Sequence, residues 1–251
     1  MARMIAAGLR AILGRFGYVL WKRDFLRYGV DPFLDIRRLS VAFARPVRTF
    51  FDVGANEGQT ALDALKAFPA ARIVSFEPHP AAFARLSGRA SVRLEPVQLA
   101  LDSKPGTAAF YEYGTGPGGT LMNSLVPNAR FAVENAAPYR EIQVQADTLD
   151  AFCVARGVET VDVLKIDVEG CELRVLEGAE RMLSGRRITF IYVEFNDLVA
   201  VDYAEGGALL PIAEYLARWG YRHIATYTDT VRADMTPLHV CANALFAIAP
   251  A

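Results

Sequence analysis

Four acidic residues stand at the ends of apolar segments that have the composition of buried strands: Asp52, Glu77, Asp167 and Glu194. Charged side chains are seldom placed in such segments unless they are paired or serve a site. In an open sheet of parallel strands, ligands bind outside the carboxyl ends of the strands. We therefore expect the four carboxylates to meet at one functional edge. Helix capping or a buried ion pair is the structural alternative for each of them.

The segment "FFDVGANEGQT", residues 50–60, predicts a strand that turns sharply into a helix. No lysine follows Gly58, as a Walker phosphate loop requires, and the spacing from Gly54 to Gly58 does not match the G-x-G-x-x-G dinucleotide fingerprint. Asp52, directly before the turn, opposes a phosphate and favours a cofactor with a cationic sulfonium and ammonium. Because Glu77 is placed to accept both ribose hydroxyls, the pattern predicts an S-adenosylmethionine site. An NAD-dependent oxidoreductase is the rival enzyme.

Asp167 is the candidate general base for taking a proton from an acceptor. Strand alternation places Lys165 on the same face of the predicted strand, where it would support Asp167 as an ion pair. His223 is an alternative base. Oxygen ligands from adjacent strand ends would also suit Mg²⁺, which acidifies a bound hydroxyl, and the candidate ligands are Asp167, Glu194, Asn196 and Asp197.

The segments that position these residues alternate between strand and helix patterns, which predicts an α/β fold with a doubly wound parallel sheet. A third strand is predicted at residues 95–101, and a single helix at residues 171–185. Residues 106–113 and 141–147 alternate apolar and polar side chains, which indicates half-exposed antiparallel strands. The connection between them, rich in glycine and proline, fits no pattern.

Composition narrows the class of protein. The 251-residue chain is 53% hydrophobic and 22% charged, values typical of a folded globular protein. Its formal net charge of −1 gives no reason to expect a nucleic-acid partner. Three cysteines without C-x-x-C spacing argue against a disulfide framework or a zinc site and favour the cytoplasm.

The first 23 residues place apolar side chains at helical spacing and carry five basic residues with no acid. Arginines interrupt each apolar run, so the segment is unsuited to spanning a bilayer. One interpretation is a basic amphipathic helix that holds the protein peripherally on an anionic membrane. The other is a helix packed on its own domain or on a second subunit of a homo-oligomer.

Five motifs, in this order, resemble the FkbM-type family of S-adenosylmethionine-dependent methyltransferases: "FFDVGANEGQT", "SFEP", "TLDAF", "LKIDVEGCELRVLEGA" and "IYVEF". The resemblance implies a Rossmann-like methyltransferase fold with a mostly parallel seven-stranded sheet and helices on both faces. It places this domain at residues 47–251, after an N-terminal helical extension at residues 1–46.

The resemblance also implies roles for individual residues. The methionine part of the cofactor would be surrounded by Asp52, Gly54, Ala55, Asn56, Gly58 and Thr60. Glu77 would hold the ribose, and the adenine side would be formed by Pro78, His79, Ala100 and Leu101. The methyl group and the acceptor would meet at Asp167 and Glu169, and the candidate catalytic set is completed by Lys165 and Glu194.

The family resemblance implies a class of acceptor as well. Its members usually methylate hydroxyls of sugars, polyketides or glycolipids, so we expect O-methylation of a sugar, a glycolipid or a small natural product. N-methylation of peptide side chains is the alternative within the family. A non-catalytic, membrane-associated module that keeps the fold is the alternative outside enzymes.

Overall fold

The computed structural model describes residues 12–17, 26–113, 123–126, 139–196, 207–228 and 241–248. Its helices are α1 (Pro32–Ala42), α2 (Gln59–Ala67), α3 (Pro80–Ser87), α4 (Leu149–Arg156), α5 (Glu172–Glu177), α6 (Glu180–Ser184) and α7 (Leu209–Arg218). Its strands are β1 (Thr49–Val53), β2 (Arg72–Phe76), β3 (Leu94–Val97), β4 (Ala100–Leu101), β5 (Gly106–Tyr113), β6 (Tyr139–Asp147), β7 (Val161–Ile166), β8 (Ile188–Asn196), β9 (Arg222–Thr228) and β10 (Cys241–Ala247).

The larger sheet of the described residues has seven strands in the order β3-β2-β1-β7-β8-β10-β9. The five neighbouring strands from β3 to β8 are all parallel. β10 pairs antiparallel with both β8 and β9, so it alone of these seven runs in the opposite direction. The predicted α/β fold with a mostly parallel seven-stranded sheet is therefore confirmed.

Helices cover both faces of this sheet because its central strands are apolar on both sides. Neighbouring residues of β1 point to opposite faces: Phe51 packs in one core with residues of α4, α5 and α7, and Phe50 packs in another with residues of α1 and α2. Both phenylalanines are fully buried. The glycine turn after β1 therefore follows a strand that packs against a hydrophobic core on each face of the sheet.

α1 is fixed to the far edge of the sheet by a buried carboxylate. Asp31 caps the helix by accepting a hydrogen bond from Leu34 N at 2.9 Å. Asp35, fully buried in the first turn, accepts from Tyr227 Oη at 2.9 Å and from Gly29 N at 2.8 Å. These bonds satisfy a charged group in the core and join α1 to β9.

The predicted amphipathic N-terminal helix is described only at residues 12–17, of which 12–15 are helical. The prediction that it contacts a membrane falls largely on residues outside the described ranges. Among the described residues, no helix has the length and apolar character needed to cross a bilayer.

A second sheet, with the order β4-β6-β5, lies beside the main one. β5 and β6 are antiparallel, as their alternating sequences predict. The prediction of one continuous third strand at residues 95–101 is wrong, because β3 pairs with β2 in the main sheet whereas β4 pairs with β6. The chain changes sheets between Val97 and Ala100, a long-range choice that an apolar run does not reveal.

The prediction of one helix at residues 171–185 is also wrong. The segment forms two short helices, α5 and α6, with Gly178 and Ala179 between them. A side chain at position 178 would place its Cβ 2.1 Å from the carbonyl oxygen of Asp102. The chain therefore passes so close to the residue after β4 that only glycine fits, and the helix is interrupted there.

Candidate functional site

A cavity of about 400 Å³ opens at the carboxyl edge of the parallel strands. It is lined by all four predicted catalytic residues and by eight of the ten predicted cofactor residues, namely Gly54, Ala55, Asn56, Thr60, Glu77, Pro78, Ala100 and Leu101. The other two, Asp52 and Gly58, do not line it. The predicted site residues thus gather at one cavity, with Asp52 and Gly58 outside its lining.

The glycine turn is tight because two loops touch there. Gly54 has φ +76°, and a Cβ on it would lie 1.8 Å from the carbonyl oxygen of Asp167. Gly54 N and Ala55 N both donate to the carbonyl of Phe76, at 3.1 and 2.9 Å. Gly54 therefore lets the loops after β1 and β7 approach each other, which no residue with a side chain would permit.

Gly58 has a different reason to be glycine. It precedes α2 with φ +85°, and a Cβ there would meet Leu86 Cδ1 at 2.7 Å. Its role is to pack α2 against α3, which explains why Gly58 is absent from the cavity lining. The residues that follow it, Gln59 and Thr60, do line the cavity.

Glu77 holds the turn together from the end of β2. Its carboxylate accepts from Asn56 N and from His79 N, both at 2.8 Å. Burial raises the pKa of Glu77 to about 7, although these two backbone donors act in the opposite direction. A carboxylate offers about four lone-pair sites, so Glu77 retains acceptor capacity toward the cavity beyond these two bonds.

Lys165 lies between two strand-end acids at the centre of the sheet. Its Nζ is 3.1 Å from Asp167 Oδ2, 3.3 Å from Asp52 Oδ1 and 3.3 Å from the carbonyl of Gly54. Burial alone would lower the pKa of the Lys165 ammonium, but Asp167 and Asp52 outweigh burial and raise it. The predicted pairing of Lys165 with Asp167 is present in the structure.

Asp52 is fully buried beneath the cavity rather than at its surface. Burial raises its pKa, and the nearby Lys165 ammonium opposes the rise. Its position fits that of a counter-charge for Lys165 beneath the glycine turn, without contact to a ligand.

Three carboxylates of the described residues meet at the acidic end of the cavity: Asp167, Glu169 and Glu194, with one oxygen of each within 4.8 Å of the others. Glu169 has φ +57°, a left-handed conformation uncommon for a side chain without a local reason. Burial, followed by the Asp167 and Glu172 carboxylates, raises its pKa well above the ordinary value.

These three carboxylates differ from the predicted magnesium ligands. Glu169 joins Asp167 and Glu194, whereas the side chain of Asn196 and the whole of Asp197 fall outside the described residues. Acidic groups at a sheet edge are common without a metal ion, and Lys165 Nζ already supplies a cation 3.1 Å from Asp167. The cluster alone therefore gives no support for Mg²⁺.

Glu172 is a functional candidate that the sequence-based prediction missed. Its buried carboxylate accepts from Val168 N at 3.0 Å and from Gly170 N at 3.1 Å, so it closes the turn that carries Glu169. Burial raises the pKa of Glu172 to about 7, against the effect of these donors. The motif "KIDVEG-x-E" contains this residue, but the residue type alone does not indicate that it binds backbone.

The apolar wall of the cavity contains residues to which the sequence assigns no site role, namely Phe76, Leu99, Phe110 and Leu125, and Asn123 lies beside them in the lining. Leu99 and Phe110 were assigned to strands without a role. Asn123 and Leu125 lie in the connection after β5, where no pattern was recognised. These residues come from both sheets and from the connection after β5, and they meet at the cavity only in the folded protein. No single segment of the sequence therefore reveals this wall.

Of the histidines and cysteines whose side chains the structure describes, none lines the cavity. His223 Nε2 lies 3.0 Å from Thr226 Oγ1 on β9, and neither it nor His79 lines the cavity. His239 falls outside the described residues. Burial raises the pKa of the Cys153 and Cys171 thiols to about 12, as expected for packing residues.

Comparison with known proteins agrees with this geometry. The family model described as the methyltransferase FkbM domain matches residues 52–223. Three relatives of known name are similar to the chain. The 2-O-methyltransferase NoeI of Sinorhizobium fredii is 28% identical over 169 residues, which cover 64% of this chain and 68% of that protein.

The 31-O-demethyl-FK506 methyltransferase FkbM of Streptomyces tacrolimicus is 29% identical over 241 residues, covering 86% of this chain and 81% of that protein. The hexuronic acid methyltransferase AglP of Haloferax volcanii is 27% identical over 163 residues, covering 64% of this chain and 62% of that protein. The family resemblance inferred from the five motifs is thereby confirmed.

Proposed function

This chain belongs to the FkbM methyltransferase family, and we propose that it transfers the methyl group of S-adenosylmethionine to a hydroxyl of a sugar, a glycolipid or a small natural product. The observation that carries the proposal is one cavity whose lining contains a glycine turn, the strand-end acid Glu77 and three clustered carboxylates. Oxygen as the methylated atom is supported by the names of NoeI and FkbM, and a sugar acceptor by the name of AglP.

The cofactor end of the cavity suits an adenosyl sulfonium better than a dinucleotide. Acids outnumber the single lysine among the lining residues, which favours a cation and opposes a pyrophosphate. Glu77 is placed to accept the ribose hydroxyls, and the turn at Gly54–Asn56 exposes backbone beside it. Phe76, Ala100, Leu101 and Phe110 would form an apolar surface for the adenine.

At the acidic end, the protein has to align the acceptor and receive its proton. The sulfonium supplies an activated methyl carbon. We assign Asp167 as the residue that accepts the hydroxyl proton, with Lys165 holding its carboxylate in place from 3.1 Å. Glu169, whose raised pKa reflects burial among acids, would share that proton, and Glu194 would complete the acceptor contact.

The two alternatives make different demands on this end of the cavity. A peptide amine as acceptor would also suit the three carboxylates, but neither NoeI nor FkbM carries a name that indicates nitrogen. A non-catalytic module would have no need of a lysine buried between Asp52 and Asp167 at the mouth of a cavity. O-methylation therefore fits the described residues best.

The test is to incubate the protein with methyl-labelled S-adenosylmethionine and a cell extract, and then to identify the labelled product. We expect label in an ether-linked methyl group that resists mild base. Label in an N-methyl group would show that the acceptor is an amine and not a hydroxyl. The absence of any label that depends on the protein would contradict the proposal.

The same assay, run in parallel with a chelator, tests whether methyl transfer requires a metal ion. Because Lys165 already supplies a cation beside Asp167, we expect methyl transfer to persist in excess chelator. Loss of transfer that added Mg²⁺ restores would instead assign the three carboxylates to a metal ion.

A further inference from the structure

β5, in the second sheet, touches both loops that shape the cavity although most of its side chains do not line it. Tyr111 forms an isolated backbone bridge with Ser124: Tyr111 N donates to Ser124 O at 2.8 Å, and Ser124 N donates to Tyr111 O at 3.2 Å. Ser124 is 1% exposed. The bridge thus fixes a buried hydroxyl at a defined point beside the main sheet.

The Ser124 hydroxyl binds the loop that carries the acids. Ser124 Oγ donates to the carbonyl of Glu169 at 2.7 Å and lies 3.2 Å from the carbonyl of Val168. From the other side of the same turn, Glu172 accepts from Val168 N and Gly170 N. The left-handed backbone at Glu169 is therefore held by the bond from Ser124, which is itself bridged to β5, and by the bonds to Glu172.

The residue after Tyr111 makes a second connection, to the loop that carries Glu77. The Glu112 carboxylate lies 3.4 Å from His79 Nε2, and both side chains are buried. His79 Nδ1 accepts from Ala82 N at 3.3 Å, which leaves Nε2, the nitrogen that faces Glu112, to carry the ring proton. His79 N in turn donates to Glu77 Oε1 at 2.8 Å.

We propose that β5 and Ser124, the residue bridged to it, form a positioning element with two separable arms, in which Ser124 sets the acid loop at Glu169 and Glu112, within β5, sets the ribose loop through His79. Neither Ser124 nor Glu112 lines the cavity, so each acts through another residue. The proposal rests on the proposed methyltransferase function and adds which distant residues control each half of the reaction.

Loss of each arm is expected to change a different quantity, kcat in one case and cofactor affinity in the other. A left-handed conformation at a residue with a side chain persists only when its surroundings impose it. Without the Ser124 hydroxyl the turn can relax, and the Asp167 and Glu169 carboxylates would leave their working positions. Without Glu112 the buried His79 N–H loses its acceptor, and the loop that presents Glu77 would shift.

The experiment compares Ser124→Ala with Glu112→Ala in the full-length protein. Calorimetry measures the affinity for S-adenosylhomocysteine, and transfer of labelled methyl to the active extract fraction gives kcat and the KM for S-adenosylmethionine. We expect Ser124→Ala to lower kcat roughly 10- to 100-fold with little change in affinity. We expect Glu112→Ala to weaken affinity about tenfold with little change in kcat.

Three further variants serve as matched controls. Ser124→Thr keeps the hydroxyl and should restore kcat, and Glu112→Gln keeps an acceptor for His79 and should restore most of the affinity. Thr107→Ala changes an exposed residue of the same strand and should alter neither value. If Ser124→Ala does not fold, Ser124→Cys, with a weaker donor of similar size, should give an intermediate kcat.

Equal effects of both variants on kcat and affinity would overturn the proposal, as would an effect on the melting temperature alone. Failure of the unaltered protein to bind S-adenosylhomocysteine would instead contradict the proposed function. The two failures are therefore distinguishable.

Discussion

Charged side chains at the two edges of the parallel sheet differ in their burial and in what they contact. At the carboxyl edge, Asp52 and Lys165 are buried and Asp167 is half-buried, and Lys165 and Asp167 line a cavity together with further acids. At the amino edge, Glu95 pairs with Arg72 at 2.6 Å and with Arg156 at 2.7 Å, and both arginines are largely exposed. Exposed pairs of this kind contribute about 0–1 kcal/mol to stability.

β7 shows the difference within one strand. Asp162, near its start, accepts from Arg48 N at 2.7 Å and Thr49 N at 2.8 Å, so it satisfies the backbone where β1 begins. Asp167, directly after its end, faces Lys165 and the cavity. The same residue type thus serves folding at one end and is kept available for a ligand at the other, which agrees with the rule that α/β sheets bind ligands at the carboxyl edge.

The largest effect is expected from adding a methyl group at the carboxyl edge. Gly54→Ala places Cβ against the Asp167 carbonyl, so the two loops must separate; we expect a loss of several kcal/mol of unfolding free energy and no measurable binding of S-adenosylhomocysteine. Gly157→Ala is the matched control, because Gly157 also has positive φ but an added Cβ meets nothing within 4 Å. It should cost only about 1 kcal/mol and leave binding intact. If chemical denaturation gives equal losses of unfolding free energy for the two variants, the positive φ and not the contact between the loops causes the loss.

The next effect separates the two aspartates of β7. Asp167→Asn removes the proposed proton acceptor but keeps its shape, and we expect methyl transfer to fall about 100-fold or more while S-adenosylhomocysteine still binds. Asp162→Asn keeps an oxygen for Arg48 N and Thr49 N and should leave transfer unchanged. Labelled-product formation at saturating cofactor measures both. Transfer that survives Asp167→Asn would move the base to Glu169.

The smallest effect concerns pH. The carboxyl of Glu77, with a pKa of about 7, is protonated below that value in the free protein, whereas ribose hydroxyls donate best to its ionised form. Affinity for S-adenosylhomocysteine should therefore increase as pH rises through 7, by about tenfold from pH 6 to pH 8. Calorimetry on Glu77→Gln should show this dependence abolished, and Glu95→Gln at the amino edge should retain it. A flat profile for the unaltered protein would contradict the role of Glu77.

The sequence predicted the carboxyl edge well because its information is local. A strand that ends in an acid or a glycine turn is visible in about ten residues, and Gly54, Glu77 and Asp167, singled out in this way, do line one cavity. Thr148, a residue type that commonly caps helices, stands directly before α4 and accepts from Ala151 N at 3.1 Å. Where neighbours along the chain decide the structure, the prediction is confirmed.

The failures occur where distant segments decide. The break between α5 and α6 lies where Gly178 passes close to the carbonyl of Asp102, and the division of residues 95–101 depends on pairing with β6. A strand-end position also does not reveal that Asp52 is fully buried, 3.3 Å from Lys165 Nζ and outside the cavity lining. Ser124 could not be identified because its partners are 44 and 45 residues away.

Calorimetric titration with S-adenosylhomocysteine, and in parallel with NAD, tests the central claim that the carboxyl edge is an adenosyl sulfonium site. We expect S-adenosylhomocysteine to bind to the intact protein at pH 8 and NAD not to bind. Binding of NAD without binding of S-adenosylhomocysteine would contradict it.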